Sequence, residues 1–280
     1  PQFINAAANN FGLLVTSPAI NSGAPIQLNG FPAHDLAGGE RIIGSRIDRG
    51  AFESAFDDLT GFVVTSTADN GNNASPLAGS LRAAIKAANA ASGPCRISFQ
   101  VAGTCPRTLN FSGNMLDITG DVTIDGSSQA GWVANSQYGR FDATLCLFVN
   151  GAGSTPWAFH VPAAASSARL VVRGIMFAGF DDAAIKLEGG DNHLITGNQF
   201  GAIGFTVPSG SAVRVTGNSG GAQIGGFDDP GSLNLIAGTS TAGVFLDNAA
   251  GGSVLGNNVI GFQVDGSGDG GNPIGVYMFN

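Results

Sequence analysis

From residue 95 onward, short runs rich in Val, Ile, Leu and Phe alternate with clusters of Gly, Asn, Ser and Asp, as in "RISFQV", "LVVRGIMF", "HLITGNQF" and "SVLGNNVIGF". Runs of that length bounded by turn formers read as strands. No window between 170 and 280 carries the i, i+3, i+4 spacing of a helix. One stretch does: in "GSLRAAIKAAN", Leu81, Ala84, Ile85 and Ala88 fall on one face, Arg82 and Lys86 lie off it, and Ser80 stands where a helix cap is wanted. The pattern predicts one amphipathic helix over 80–90 in a chain otherwise built of strands and turns.

A repeat is visible in the second half. Gly174, Gly197, Gly217, Gly238 and Gly256 recur at intervals of 23, 20, 21 and 18. Two residues before each stands a β-branched side chain: Val172, Ile195, Val215, Ile236, Val254. Asparagine follows three of these glycines, at Asn198, Asn218 and Asn257, which suits a turn where positive φ is wanted. A coil of about this length, pairing with the next at roughly 4.8 Å, predicts an all-β, right-handed parallel β-helix, a solenoid in which those five residues form one internal file. Phe177 and Phe200, each three residues past its glycine, join the interior stack. A β-sandwich is the competing arrangement. The open edge of a solenoid needs a cover, and the 80–90 helix is expected to be its N-terminal cap.

The segment "FVVTSTADNGNNASPLAGSLRAAIKAAN" resembles the CSLREA-type N-terminal motif of large bacterial surface proteins, with Gly79 and Ala83 where that motif has Cys and Glu. The phrases "IGG" and "GNNVIG" downstream are similar to the right-handed β-helix repeats of the same proteins. "SPAINSGAP" with "DLAGGERIIGSRIDRGAFE" resembles the segment that closes such repeats ahead of a surface anchor. The resemblance implies three parts: 1–57 closing a preceding β-helix, 58–94 a linker and cap, and 95–280 rungs that continue past Asn280. It also implies secretion to the cell surface.

Composition narrows the chemistry. Of 280 residues, 44 are Gly and only 11% are charged, so polarity comes from turn residues. A net charge of −8 with 12 dispersed Lys and Arg offers no basic stripe for nucleic acid. No apolar run reaches the roughly 18 residues that span a bilayer. Cys95 and Cys105 flank a strand-like run and are spaced to close a small loop in an oxidising compartment, or else remain thiols. Cys146, among apolar neighbours, reads as a small buried hydrophobe.

The candidate catalytic residues are the two "GFDD" phrases, Asp181 with Asp182 and Asp228 with Asp229. Their 228 − 181 = 47 separation would set them about 10 Å apart if it spans two coils, near the about 6.5–9.5 Å of inverting glycosidases. Aspartate beside glycine and proline is also an ordinary turn former. Arg173 and Arg214 lie near the repeated glycines without acidic neighbours in sequence, and Asp265 with Asp269 lacks the distal glutamate of a calcium loop. His34, His160 and His193 sit in no nucleophile motif. Trp132 and Trp157 are the candidate carbohydrate contacts. No metal or cofactor is expected. The sequence therefore predicts an extracellular structural or adhesive rod, with further rungs, another copy of itself in a head-to-tail filament, or surface glycans as partners. A polysaccharide lyase or hydrolase is the alternative, and a non-catalytic carbohydrate-binding protein the next.

Overall fold

The computed structural model describes residues 1–23, 34–39, 41, 43, 46–55, 58–201, 209–227, 229–247, 252–262 and 271–279. Two compact units divide it, Pro1–Thr60 and Gly61–Asn280.

In the first unit, β1 (Phe3–Asn5) pairs antiparallel with β2 (Asn10–Leu13) across a 3-10 turn, Ala6–Ala8. Carboxylates hold the rest. Buried Asp48 accepts from the Asn21 N–H at 2.7 Å and the Ser54 N–H at 2.7 Å, pinning two distant segments together. The Glu53 carboxylate accepts from Arg41 Nη1 at 2.9 Å and from the Asp48 N–H. Its side chain is only 1% exposed, and burial pushes it up to about 7 against the opposing Asp48 N–H and Arg41 charge.

The second unit runs β3 (Thr60–Val64), α1 (Leu81–Ala90), β4 (Cys95–Phe99), β5 (Arg107–Asn110), β6 (Asp121–Asp125), β7 (Leu147–Thr155), β8 (Phe159–Val161), β9 (Arg169–Arg173) and β10 (Met176–Phe180). It continues with β11 (Ala183–Leu187), β12 (His193–Thr196), β13 (Gln199–Phe200), β14 (Ser209–Thr216), β15 (Ala222–Gly225), β16 (Asn234–Ile236), β17 (Thr239–Asp247), β18 (Val254–Gly256), β19 (Asn258–Ile260) and β20 (Val276–Phe279). Three sheets result, with orders β18-β15-β12-β9-β6-β4-β3, β19-β16-β13-β10-β7-β5 and β20-β17-β14-β11-β8. From β7 on, successive strands enter different sheets, and each pairs in parallel with the strand three places later.

This corrects the expected architecture. In place of an all-β right-handed parallel β-helix with an N-terminal capping α-helix, the described strands lie in separate parallel sheets of seven, six and five, with one antiparallel pair and one α-helix. The solenoid repeat of 18–23 residues rested on a single internal file, which the register overturns. Val172 and Ile195 are partners in the seven-stranded sheet, but Val215 belongs to the five-stranded sheet and Ile236 to the six-stranded one. Val254 lies opposite Gln223, one place out of file. The files observed are Ile97, Ile124, Val172, Ile195, Ile224 and Leu255 in one sheet, and Leu109, Val149, Phe177, Phe200, Ile236 and Ile260 in another. The cause is local. Val172, Ile195, Val215 and Ile236 each stand last or next to last in a strand, whichever sheet it lies in, and Val254 opens one, so aligning on that phrase mixed three sheets. Phe177 and Phe200 do stack, centroids 5.1 Å apart, with Phe159 edge-on to Phe177 at 5.7 Å.

The helix does not precede the strands as a lid; α1 falls between β3 and β4, neighbours in the seven-stranded sheet. Ser80 Oγ accepts from the Ala83 N–H at 3.1 Å, and Leu81, Ala84, Ile85 and Ala88 are buried in the main core. Arg82, expected off the buried face, is also fully buried. Its Nε and Nη2 donate to Asp69 at 2.7 and 2.6 Å, its Nη2 to Ser112 O at 3.1 Å, and its Nη1 to Asn114 O at 2.7 Å and to Asn73 Oδ1. All five donors of the guanidinium are used, fastening the loop before α1 to the turn after β5.

A ladder of amides crosses the turns. Asn234 Nδ2 donates to Ile195 O at 2.8 Å and Asn258 Oδ1 at 3.0 Å, and Asn198 N–H donates to Asn234 Oδ1 at 2.9 Å. The bonded asparagines are thus 198, 234 and 258; of the three that follow the repeated glycines in sequence, Asn198 is the one that belongs to this ladder.

The cysteine pairing is corrected too. Cys105 bonds Cys146, with Cα atoms 4.6 Å apart, and Cys95 is a buried thiol rather than a partner of Cys105. Proximity in sequence misled: β5 pairs with β7 through Arg107 opposite Leu147, which brings the residues just ahead of both strands together. Cys95 instead opens β4 and faces α1, its thiol donating toward Gly93 O at 3.2 Å.

Candidate binding face

Each strand of the five-stranded sheet carries the phrase apolar, long polar or aromatic, apolar: "FHV", "IKL", "VRV", "VFL" and "VYM". Period-two alternation puts the flanking residues on one face and the middle one on the other; the flanking residues are buried in the first four strands, whereas in β20 Val276 and Met278 are exposed. Register then aligns the middle residues as His160, Lys186, Arg214, Phe245 and Tyr277, one per strand.

Hydrogen bonds and ion pairs tie the outward row to the carboxylates beside it. His160 Nδ1 lies 2.7 Å from Asp117 Oδ1, and its Nε2 2.9 Å from Glu188 Oε2. A doubly protonated ring donates to both; a neutral ring donates to one and needs a carboxyl proton for the other. Lys186 Nζ bridges Glu188 at 3.2 Å and Asp182 at 3.0 Å. Arg214 bonds Asp182 at 2.9 Å and faces Asp247 at 3.7 Å. Aromatic rings fill the intervals. Trp157 lies 4.3 Å from the His160 ring with the Lys186 ammonium 5.2 Å from its centroid, while Phe245 stacks on Tyr277 at 4.8 Å and receives the Arg214 guanidinium at 4.7 Å.

Burial and pairing compete at each group. Burial would raise Asp182, but hydrogen bonds from Lys186 and Arg214 outweigh it and hold the carboxyl below its ordinary range. Glu188 is likewise lowered, burial being overcome by His160 and Lys186. For Lys186 burial acts downward, and the two carboxylates carry it above its ordinary value. Each ion is therefore held in its charged form by its neighbours.

The sequence-derived candidates are dispersed. Asp181 is exposed, its N–H donating to Thr155 O, whereas Asp182 belongs to the network. Asp229 caps the 3-10 turn Pro230–Ser232, accepting from the Gly231 N–H at 2.8 Å; Asp228, Asp265 and Asp269 lie outside the described residues. Asp182 and Asp229 thus serve different elements. Arg173 sits on the seven-stranded sheet, gripping buried Asp125 at 2.8 and 2.9 Å. Trp132 packs against Phe141, Leu145, Leu233 and Leu235. His34 is exposed; His193 is buried, accepting from the Leu170 N–H and donating to Gly189 O, and burial lowers it to about 4. Among the described residues no group of three His, Cys, Asp or Glu converges as a metal site, and no helix is long and apolar enough to cross a membrane.

Sequence reasoning missed the row because its members are roughly 30 residues apart and differ in type. The flanking apolar pair, repeated five times, is the signal that finds them. Comparison with protein-family models and with curated proteins gives no match to this chain.

Proposed function

We propose that this chain is an extracellular adhesive protein that uses the outward face of the five-stranded sheet as its contact surface. The observation that carries the reading is the in-register row from His160 to Tyr277, which fixes hydrogen-bonding groups and rings on one sheet. Pre-organised side chains lose little entropy on contact, which favours binding. Asp182, Glu188 and Asp247 each face Lys186 or Arg214, an arrangement suited to holding a ligand more than to moving protons. The Cys105–Cys146 bond supports an oxidising compartment, in keeping with a secreted or cell-surface location. The likeness of residues 62–89 to the N-terminal motif of bacterial surface proteins adds support from the sequence.

Beads coated with the protein, tested for retention on glycan-bearing and bare surfaces, measure adhesion directly. A parallel incubation with acidic and neutral polysaccharides follows new reducing ends and unsaturated uronate absorbance. Retention on glycan-bearing surfaces without products is expected. Products that vanish in Asp182→Asn would replace adhesion by catalysis, and equal retention on bare surfaces would remove the reading.

A further inference from the structure

Resting on the adhesive reading, we infer that the row on the five-stranded sheet binds a linear, uncharged polysaccharide laid across the strands. Five adjacent strands span four intervals, roughly 19 Å at about 4.8 Å each, so a single stretched chain of several sugar rings matches the row from His160 to Tyr277.

Charge selects the class of polymer. Along the network the order is Asp117, His160, Glu188, Lys186, Asp182, Arg214, Asp247, so that Lys186 and Arg214 each stand between two carboxylates. A polyanion approaching Lys186 or Arg214 meets carboxylates on both sides, in a chain of net charge −8. A polycation must displace the cations already paired with Asp182, Glu188 and Asp247. A hydroxyl-bearing neutral chain meets neither obstacle. Carboxylate oxygens that accept one bond retain lone pairs for hydroxyl donors. The side chains concerned are wet: Asp117 is 47% exposed, Asp247 33%, Glu188 31% and Arg214 30%. The Trp157 and Tyr277 rings toward either end offer apolar surface beside these polar groups, which suits a ring with a hydroxyl edge and a C–H face.

The test is cosedimentation of the full chain with microcrystalline cellulose and insoluble mannan as neutral probes, cross-linked polygalacturonate as the anionic probe and chitosan beads as the cationic one, at low and high salt. Binding to a neutral probe that persists in high salt is expected. Asp247→Asn and Tyr277→Ala, on the adjacent strands β17 and β20, should weaken it by about tenfold with unchanged thermal midpoints, the loss of one good contact. Gln223→Ala, on the seven-stranded sheet, should bind as the parent does. Preference for polygalacturonate or chitosan, abolished by salt, overturns the inference, as do variants that bind like the parent. Retention on glycan-bearing surfaces with no binding to any of the four polymers overturns the inference and leaves adhesion standing; loss of retention as well removes both.

Discussion

Replacing Arg82 with methionine isolates the contribution of one buried ion. The guanidinium is fully buried and satisfied by five hydrogen bonds, two to the Asp69 carboxylate and three to Asn73 and the carbonyls of Ser112 and Asn114. Methionine fills similar volume but leaves Asp69, whose side chain is 7% exposed, without its counter-ion, along with carbonyls that lose their donor. Breaking a buried pair on one side costs about 3–5 kcal/mol, a large share of the about 5–15 kcal/mol that holds a domain together. With a urea slope of about 3 kcal/mol/M, the midpoint should fall by about 1–1.7 M. Arg82→Lys should recover only part, since an ammonium supplies three donors in place of a planar fork of five. Asp69 adds a check in pH. Burial would raise it, but the Arg82 bonds and the Ser112 N–H prevail and hold it below its ordinary value. A depressed carboxyl stabilises above its unfolded pKa, and that stability is lost as pH falls through the folded value. The parent should therefore lose stability in acid more steeply than Arg82→Met. Urea unfolding followed by tryptophan fluorescence gives both quantities. A variant within about 1 kcal/mol of the parent, or with the same acid profile, would refute the assignment of Arg82 as the anchor between α1 and the turn after β5.

Cysteine mapping gives a second test: alkylation of the unreduced, denatured chain should label Cys95 alone, and Cys146→Ser should cost about 4 kcal/mol for a loop of 41 residues. Phe177→Ala removes the ring between Phe159 and Phe200 and should cost about 3–5 kcal/mol, read in the same urea assay. The two units should answer pH in opposite senses. Glu53, raised to about 7, makes the first unit lose stability as pH climbs from the ordinary carboxyl range through 7. His193, lowered to about 4, gives the second unit stability that is full above 6.5 and drains by about 3 kcal/mol as pH falls toward 4. Hydrogen exchange resolved by segment between pH 4.5 and 7.5 checks both, and parallel changes in the two units would refute the pair.

What the sequence made legible was the alternation within a strand. "RISFQV" places Ile97 and Phe99 inward as its period requires, and "GSLRAAIKAAN" predicts the helix to within a residue. What it did not make legible was which strands are neighbours. The turns and insertions between successive strands vary in length; the segment between β6 and β7, which contains the Trp132 cluster, is one example. Pairing partners therefore cannot be counted along the chain, and a column built on counting gathered Val172, Val215 and Ile236 from three sheets. The same limit hid Arg82, whose carbonyl acceptors lie 30 and 32 residues away, and the partner of Cys105, 41 residues away.

The row on the five-stranded sheet shows why the limit falls hardest on the site. Inward positions such as Phe159, Ile185, Val213 and Val244 must be apolar to fill the core, so their type repeats and betrays them. The outward residue between them touches no core and is free to be His, Lys, Arg, Phe or Tyr. Its identity answers to its neighbours on the next strand, Lys186 to Glu188 and Asp182, Arg214 to Asp182 and the Phe245 ring. Repetition in the sequence therefore marks the scaffold, while the surface chemistry sits where repetition fails, and only the register of the strands assembles it into a row.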